Sequence, residues 1–530
     1  MRVRRVTACA VLGVALLASR AASAAPIVLE GDVPTGGPDH FFLDFEVPAG
    51  IKEIAIKHDD LSEANILDFG VNDPAGYRGW GGGTSEDAII AETAASRAYV
   101  AGPITPGTWR VVVGKAKVVA SPARYHVEID LRTTQTLAPT TDVRRPYAAP
   151  APRKKETRYY AGDFHVHSKE STDARPTIEE NIALAKSRGL DFIEQSDHNT
   201  ITQLEFYGPI QDKEPDFLLL PGIEYTTYAG HANAIGATKW VEHKIGQPGA
   251  TIAAAAEAVH AQGALLSVNH PALDIGDLCI GCAWKHDLDP KQIDGVEIGT
   301  LGLTRGGALF SAQAIAFWDR LLDTGAHIAA LGGSDDHQAG KATGLLPAEL
   351  GSPTTLVRAD ELSVAAILDG IKKGRTVVKL DGPDDPMAEL EAAQKKDGEA
   401  IGYPGDTLGV RSIHLRVKVT KGQGQAVRLV KNGAPLEPVP GDADPFVYDT
   451  VVQAPAQGEE RWRAEVLVDD KTRTVTSHLW VRLDPAGPEA GAPEAEDDGC
   501  SVGTGETRGV PVVAIVAVAL LAASGRRKRR

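Results

Sequence analysis

The residues best suited to chemistry lie between positions 160 and 340, where histidines and carboxylates follow apolar runs in short groups. Imidazole nitrogens and carboxylate oxygens are the ligands that borderline divalent metals accept in proteins. A single His-x-His pair is weak evidence, because most such pairs belong to cores or surfaces. Several groups placed alike, in order along the chain, predict a metal centre. The groups contain Asp163, His165, His167, Asp197, His198, Glu224, His231, Asn269, His270, Asp335, Asp336 and His337.

The apolar runs before these groups predict strands that alternate with helices over residues 158–380. Repeated βα units imply a mostly parallel sheet closed into a β/α barrel, whose strands open at their carboxyl ends on one face. His165 and His167 would point the same way there. The first helix begins with a capping box of Thr177 and Glu180. Strands are predicted at Tyr160–Val166, Phe192–Ser196, Phe217–Leu220, Ala264–Val268, Gly295–Ile298, Ile328–Leu331, Thr355–Val357 and Thr376–Lys379, and helices at Thr177–Arg188, Ile252–Gln262, Phe310–Thr324 and Leu362–Lys373.

The segments on either side of the predicted barrel alternate apolar and polar residues with frequent turn signals. Residues 27–131 therefore predict an N-terminal β-sandwich, joined to the barrel by a Pro-rich linker at 132–157. Residues 388–484 predict a second, immunoglobulin-like sandwich. An acidic Pro-rich spacer at 485–509 has too little apolar content to fold.

Both ends of the chain have sequence patterns that predict targeting segments. Residues 1–24 combine early arginines, an apolar stretch and small residues, as in a secretory signal peptide. The apolar run at 510–523 is shorter than the roughly 20 residues of a comfortable membrane span, and a basic tail follows it to position 530. This short apolar helix and basic tail resemble the C-terminal sorting tails of myxobacterial surface proteins. We expect an exported protein, associated with the cell surface, the outer membrane or the periplasm, or secreted.

The net charge of the chain and its one close cysteine pair indicate which partners and which compartment to expect. The formal net charge is −16, and no basic face is visible that could displace counterions from a nucleic acid, so bulk nucleic acid is disfavoured. Cys279 and Cys282 form a close pair, and in an exported protein they predict a disulfide. A small-molecule substrate and attachment through the tail are the expected partners, while the oligomeric state stays open.

The ordered motifs resemble the PHP (polymerase and histidinol phosphatase) family over roughly Tyr160 to Lys379. The resemblance implies a distorted β/α barrel that holds two or three divalent ions, commonly Zn, Mn or Fe. It implies that Asp197 orients a ligand or carries a proton, and that Glu224 bridges metals. The ligands implied by the family pattern are His165, His167, Asp173, His198, Glu224, His231, His270, Asp335 and His337.

The β-rich segment before the barrel, with Trp80-Gly-Gly-Gly and Trp109, looks like the CehA/McbA-type metallohydrolase branch of that family. A bound divalent ion lowers the pKa of its water to about 7. The expected function is hydrolysis of a phosphoester or of a carbamate or ester by a metal-bound hydroxide. Asp197 or His337 would move protons, and Arg305 on a predicted loop would clamp an anionic substrate.

Two alternatives stay open. The same site would serve an exonuclease or nucleotidase, since a short substrate needs only a local pocket. A non-catalytic surface binding protein would retain the barrel as a remnant.

Glu297 ends a strand and is a further candidate for the barrel mouth. Histidines outside the motifs are expected to be structural or solvated: His243, His260, His286, His327, His414 and His478.

Overall fold

A computed structural model describes residues 25–62, 64–119, 122–140, 143–303, 307–342 and 347–491. The expected signal peptide, the C-terminal sorting segment and Arg305 lie outside the described residues. The described residues all fall within one compact unit, Met1–Gly491. Within these ranges, no helix combines the length and apolar character needed to cross a membrane.

The N-terminal part is a sandwich of two four-stranded antiparallel sheets. One sheet has the order β1-β8-β3-β6 and the other β2-β7-β4-β5, and Ile54, Ile90 and Trp109 are buried between them. Alternating side chains on such strands bury one face and leave the other to solvent. The strands are β1 (Ile27–Asp32), β2 (His40–Val47), β3 (Glu53–Asp59), β4 (Ile66–Asp73), β5 (Gly76–Gly82), β6 (Ala88–Ala91), β7 (Gly107–Lys117) and β8 (Arg124–Arg132).

The central part contains ten strands, and the eight that the sequence predicts are confirmed within two residues. The other two form a hairpin, β12 and β13, that the sequence pattern did not indicate. The strands are β9 (Arg158–Val166), β10 (Phe192–Gln195), β11 (Leu218–Pro221), β12 (Glu224–Thr227), β13 (Gly230–Ile235), β14 (Leu265–Val268), β15 (Gly295–Gly299), β16 (Ala329–Gly332), β17 (Thr354–Ala359) and β18 (Thr376–Lys379).

These strands form two sheets rather than one. The orders are β11-β10-β9-β17-β18 and β12-β13-β14-β15-β16. Only the pairs β9–β10, β10–β11, β14–β15 and β15–β16 are parallel, so the expectation of a mostly parallel sheet was wrong for half of the pairs. Single bridges join the sheets at Val166–Asp336 and His198–Glu224. A closed barrel stays a prediction.

Five α-helices accompany these strands among the described residues. The capping box of Thr177 and Glu180 is present at the first of them. The second helix was not predicted from sequence, because Pro209 lies inside it and no side chain caps it. The helices are α1 (Ile178–Ser187), α2 (Leu204–Gln211), α3 (Ile252–His260), α4 (Gly307–Leu322) and α5 (Val364–Lys372), with short 3₁₀ turns at Gly276–Leu278 and Pro290–Gln292.

The C-terminal part is a second two-sheet structure, and one of its sheets continues the central sheet. β18 pairs antiparallel with β28, with Val377 opposite Thr476. The other sheet has the order β20-β19-β22-β26. Val417 and Val466 are buried between the two. The strands are β19 (Met387–Ala393), β20 (Ala400–Gly402), β21 (Thr407–Val410), β22 (Ser412–Thr420), β23 (Ala426–Lys431), β24 (Ala434–Pro435), β25 (Val439–Pro440), β26 (Phe446–Gln453), β27 (Glu459–Val468), β28 (Lys471–Thr476) and β29 (Leu479–Leu483).

Candidate metal centre

The histidine and carboxylate groups converge at the ends of strands from both central sheets. His165 lies in β9, and His198 follows β10 by three residues. Glu224 opens β12, and His231 lies in β13 of the same hairpin. The backbone turns sharply at three points in the cluster, since Asn199, His270 and Asp335 have φ values of 48°, 24° and 59°.

Glu224 is the centre of the cluster and is fully buried. Burial by itself raises the pKa of this carboxyl group, but the surrounding imidazoles hold it well below its ordinary range. Its oxygens lie 3.2 Å from His165 Nε2, 2.7 Å from His198 Nδ1, 3.2 Å from His231 Nδ1 and 3.4 Å from His270 Nε2.

Two aspartates complete the cluster. Asp335 Oδ1 lies 3.3 Å from His165 Nε2, 3.2 Å from His167 Nε2 and 3.5 Å from His337 Nδ1. Asp173 Oδ2 lies 3.3 Å from His198 Nε2 and 3.5 Å from His337 Nε2. The structure thus brings together all nine residues named as ligands from the sequence.

The donor atoms are close enough to share metal ions. In each of four groups, one ligand atom per residue lies within 4.8 Å of the others. Cys282 occurs in one group, but its sulfur is bonded to Cys279, so it is not available as a thiolate. The groups are His167, His198 and His337; His231, His270 and Cys282; His165, His270 and Asp335; and His165, His167 and Glu224.

Several of these buried atoms lie close to other ligand atoms but form no hydrogen bond of good geometry. They are Nε2 of His165, His167 and His231, and Oε2 of Glu224. Buried polar atoms in folded proteins normally have partners, because leaving one unpaired costs about 1–3 kcal/mol. The unpaired atoms belong to ligand types that suit divalent metals and point to one cluster, so the donor set fits metal binding.

Groups around the cluster contact ring nitrogens of four of its histidines. His165 Nδ1 lies 3.0 Å from Glu297 Oε2, which places this candidate beside the cluster. His167 Nδ1 lies 3.0 Å from Ser171 Oγ, and His198 Nδ1 lies 2.8 Å from Thr226 Oγ1. The carbonyl of Cys282 lies 3.2 Å from His270 Nδ1. Such contacts fix the ring orientation of metal-binding histidines.

Asp197 stabilises the loop that carries Ser171, which contacts His167. Its carboxylate accepts hydrogen bonds from Ser168 N at 2.7 Å, Ser168 Oγ at 2.8 Å and Ser171 N at 3.1 Å. Burial raises its pKa to about 7. Of the two roles expected for Asp197, these contacts favour orientation over proton transfer. Asp336 accepts from backbone N–H groups of Gln338, Gly340 and Leu350, and holds the next loop in the same way.

A cavity of about 880 Å³ opens over the cluster. Its lining includes His198, His231, His270 and His337 as well as two surfaces that the sequence analysis did not place there. Among the described lining residues there is no lysine or arginine. One surface belongs to the N-terminal sandwich, with Asp68, Trp80, Gly81, Gly82, Gly83 and Thr84, and the other is the apolar loop beside the Cys279–Cys282 disulfide, with Leu273, Ile275, Leu278 and Ile280.

The sandwich also contacts the loops that carry site residues. Arg97 donates to the carbonyls of Lys169 at 3.3 Å, Thr172 at 2.7 Å and Ala174 at 2.9 Å. Tyr77 Oη donates to the carbonyl of Asn199 at 2.9 Å. Periodicity within a strand carries no information about such contacts, so no sequence signal beyond the Trp80-Gly-Gly-Gly resemblance was available.

The histidines expected to be structural or solvated contact groups other than the candidate ligands. His260 lies 2.8 Å from Asp294, His327 lies 3.0 Å from Glu459, and His414 lies 2.6 Å from Asp449. His286 Nε2 lies 2.7 Å from Thr227 Oγ1. His243 and His478 are buried among aromatic rings.

Comparison with known proteins gives distant likenesses. No family model matches the chain, and no curated protein matches it. A two-domain protein from Bacteroides vulgatus, described as containing a predicted PHP-like metal-dependent phosphoesterase, is similar at 18% identity and a TM-score of 0.33, over 63% of this chain and 99% of that one. The CARDB domain of a Pyrococcus furiosus protein matches 19% of this chain and 97% of its own, at 18% identity and a TM-score of 0.13. At this distance the site's chemistry must be argued from its own residues.

Proposed function

We propose that this protein is an exported PHP-type metal-dependent hydrolase. The observation that carries the proposal is the cluster around Glu224, in which three groups of donor atoms, each without Cys282, lie within 4.8 Å of one another. A remnant barrel in a binding protein would lose ligands at random, whereas all nine expected residues meet here. The non-catalytic alternative is therefore disfavoured.

The ligand set suits two or three divalent ions of the Zn, Mn or Fe class. His165, His167, His198, His231, His270 and His337 would supply imidazole nitrogens, and Asp173, Glu224 and Asp335 would supply carboxylate oxygens. When bound, such ions lower the pKa of coordinated water and polarise the oxygen of the scissile group. Glu224 touches histidines of several groups and is the side chain best placed to be shared between ions.

The chain's own residues set the geometry of this chemistry. Ser171, Thr226 and Glu297 hold the histidine rings, and Asp197 holds the loop that carries Ser171. The pKa of His337 is raised to about 9, because Asp173 and Asp335 outweigh the effect of burial. A ligand role and a proton-transfer role exclude each other at this ring, and its proximity to both aspartates favours the ligand role.

The cavity favours an ester or carbamate over a nucleic acid. Its apolar wall suits an alkyl or aromatic group next to the scissile bond. The described lining has no cationic side chain that would hold a row of phosphates. Phosphomonoester hydrolysis stays a candidate, since bound ions would themselves hold one phosphate. The exonuclease alternative is disfavoured on the same grounds.

Export is proposed from the sequence of the two ends, with the signal peptide at 1–24 and the sorting or anchoring segment at 510–530. The Cys279–Cys282 disulfide supports this part of the proposal, since structural disulfides persist in oxidising compartments.

Elemental analysis combined with hydrolysis assays tests the function. The purified protein is assayed on p-nitrophenyl phosphate, bis-p-nitrophenyl phosphate and a naphthyl carbamate. We expect two or three equivalents of Zn, Mn or Fe and turnover of at least one probe. A preparation that holds no metal, even after reconstitution, contradicts the proposal.

A further inference from the structure

Asp68 belongs to the N-terminal sandwich, yet it lines the cavity over the histidine cluster. Its strand, β4, shifts register against β7 between Ile66 and Asp68. Irregularities of this kind bend a strand and redirect a side chain, and they are frequent beside active sites. The sandwich therefore contributes a carboxyl group to a site whose other ionisable groups come largely from the central sheets.

Tyr228 ties Asp68 to the metal-binding hairpin. The Tyr228 hydroxyl donates to Asp68 Oδ2 at 2.7 Å. Tyr228 lies in the turn between β12 and β13, the hairpin that carries Glu224 and His231. A Cβ added at Gly114 would overlap the Tyr228 hydroxyl, so the sandwich leaves this space open for the contact.

The other carboxylate oxygen is available to the cavity. Among the described residues Asp68 Oδ1 has no hydrogen-bond partner, and the side chain is partly exposed. Burial raises the pKa of Asp68 to about 6; the hydrogen bond from Tyr228 and the charge of His198 oppose part of that increase, and the charge of Asp173 adds to it. Trp80 lies beside it and gives this part of the cavity an apolar surface.

We propose that Asp68 contacts the leaving group of the substrate and gives it a proton. This inference rests on the proposed hydrolase function. The oxygen of water bonds to the carbonyl carbon or phosphorus as the bond from that centre to the leaving oxygen or nitrogen breaks. The Asp68 proton moves to the leaving atom, and the proton released by water returns to Asp68 through solvent. The net reaction thus converts the ester and water into the free acid and the neutral leaving group.

Leaving-group dependence tests this role. Asp68→Asn is compared with wild type on the phenyl and p-nitrophenyl members of whichever series, phosphate, acetate or N-methylcarbamate, the wild type hydrolyses. p-Nitrophenolate leaves without a proton, whereas phenolate leaves poorly. We expect kcat to fall about 100-fold for the phenyl substrate and by less than about 3-fold for the p-nitrophenyl substrate. Metal content should be unchanged.

Two further variants sharpen the test. Asp44→Asn changes an exposed aspartate of the same sandwich that pairs with Arg110, and it should leave both rates unchanged. Tyr228→Phe removes the hydrogen bond to Asp68 Oδ2. Because that bond lowers the pKa of Asp68, the fall of the phenyl rate with rising pH should shift to higher pH in this variant.

An equal loss on both leaving groups, with metal retained, would overturn the proton-donor role. Loss of metal from Asp68→Asn would also overturn it, by making Asp68 part of the ligand set. A wild-type protein that holds metal and hydrolyses none of the probes would contradict the proposed function. The proton-donor role of Asp68 would then be contradicted as well, because it rests on that function.

Discussion

Arg97 donates to the backbone carbonyls on either side of Asp173, at 2.7 Å from Thr172 O and 2.9 Å from Ala174 O. Asp173 contacts His198 and His337 in the cluster. The N-terminal sandwich thereby fixes the loop that carries a candidate metal ligand. The sandwich is packed against the candidate metal centre and contributes to its cavity.

Arg97→Ala should weaken metal binding through this loop. Loss of a group that supports a ligand typically costs 10–100-fold in metal affinity, and we expect a decrease of that size. Arg97→Lys should recover only part of it, because a single ammonium cannot reproduce the fork of the guanidinium. Metal retention during dialysis against a competing chelator measures the effect. Arg110→Ala, at an exposed ion pair of the same sandwich, is the control, and equal retention in all variants would refute the argument.

Asp197→Asn separates support of the site from proton transfer. Three hydrogen bonds from Ser168 and Ser171 would be weakened, so we expect a loss of about 1–3 kcal/mol in the free energy of unfolding. The pH dependence of kcat should keep its shape. Thermal unfolding and a pH–rate profile measure the two quantities. Disappearance of one limb of the profile would return Asp197 to the proton-carrier role.

Removal of metal should destabilise the protein. Ions would bind the folded cluster, whereas the ligands are dispersed in the unfolded chain, so binding would stabilise the native state. We expect chelation by EDTA to lower Tm by about 3 °C or more, and the same metal to restore it. A Tm that is indifferent to chelator would indicate that the cluster holds no ion.

Asp191 should make stability depend on pH. Burial raises its pKa, but Arg158, Lys154 and the Ala161 N–H together hold it below the ordinary value. The folded state therefore binds this proton less readily than the unfolded chain. The stability contributed by Asp191 is complete above the ordinary aspartate pKa, near 4, and is lost as the pH falls through the lower folded-state value.

Asp191→Asn measures this contribution. The difference in unfolding free energy between wild type and variant should be full at neutral pH and shrink under strongly acidic conditions. Asp212→Asn removes an exposed partner of Arg145 and should have little effect at any pH. A difference for Asp191→Asn that does not change with pH would contradict the assignment.

Local patterns predicted much of the central part and of the ligand set. Apolar runs such as Ala264–Val268 located strands, and the motifs after them contain the four histidines whose ring nitrogens lie within 3.4 Å of Glu224. The hairpin β12–β13 was missed because Tyr225 to His231 has no clear alternation of apolar and polar residues. Antiparallel pairing in the central sheets was missed for a related reason, since order along the chain does not fix which strands become neighbours.

Such local patterns did not predict that the N-terminal sandwich contributes residues to the cavity. Asp68 and Arg97 have ordinary neighbours in sequence, and only tertiary packing brings Asp68 to the cavity and Arg97 to the loop that carries Asp173. Glu297 stood at a strand end and was correctly considered, but its contact with His165 Nδ1 needed coordinates. Arg305 lies outside the described residues, so its expected role as an anion clamp stays a prediction.

In the function proposed here, Glu224 organises a catalytic metal centre. Metal content and turnover are measured together for wild type, Glu224→Gln and Glu257→Gln, the last an exposed glutamate of α3. We predict two or three equivalents and turnover in wild type and Glu257→Gln, and loss of at least one equivalent with loss of turnover in Glu224→Gln. Full metal content and full activity in Glu224→Gln, or a wild type that binds no metal, would contradict the claim.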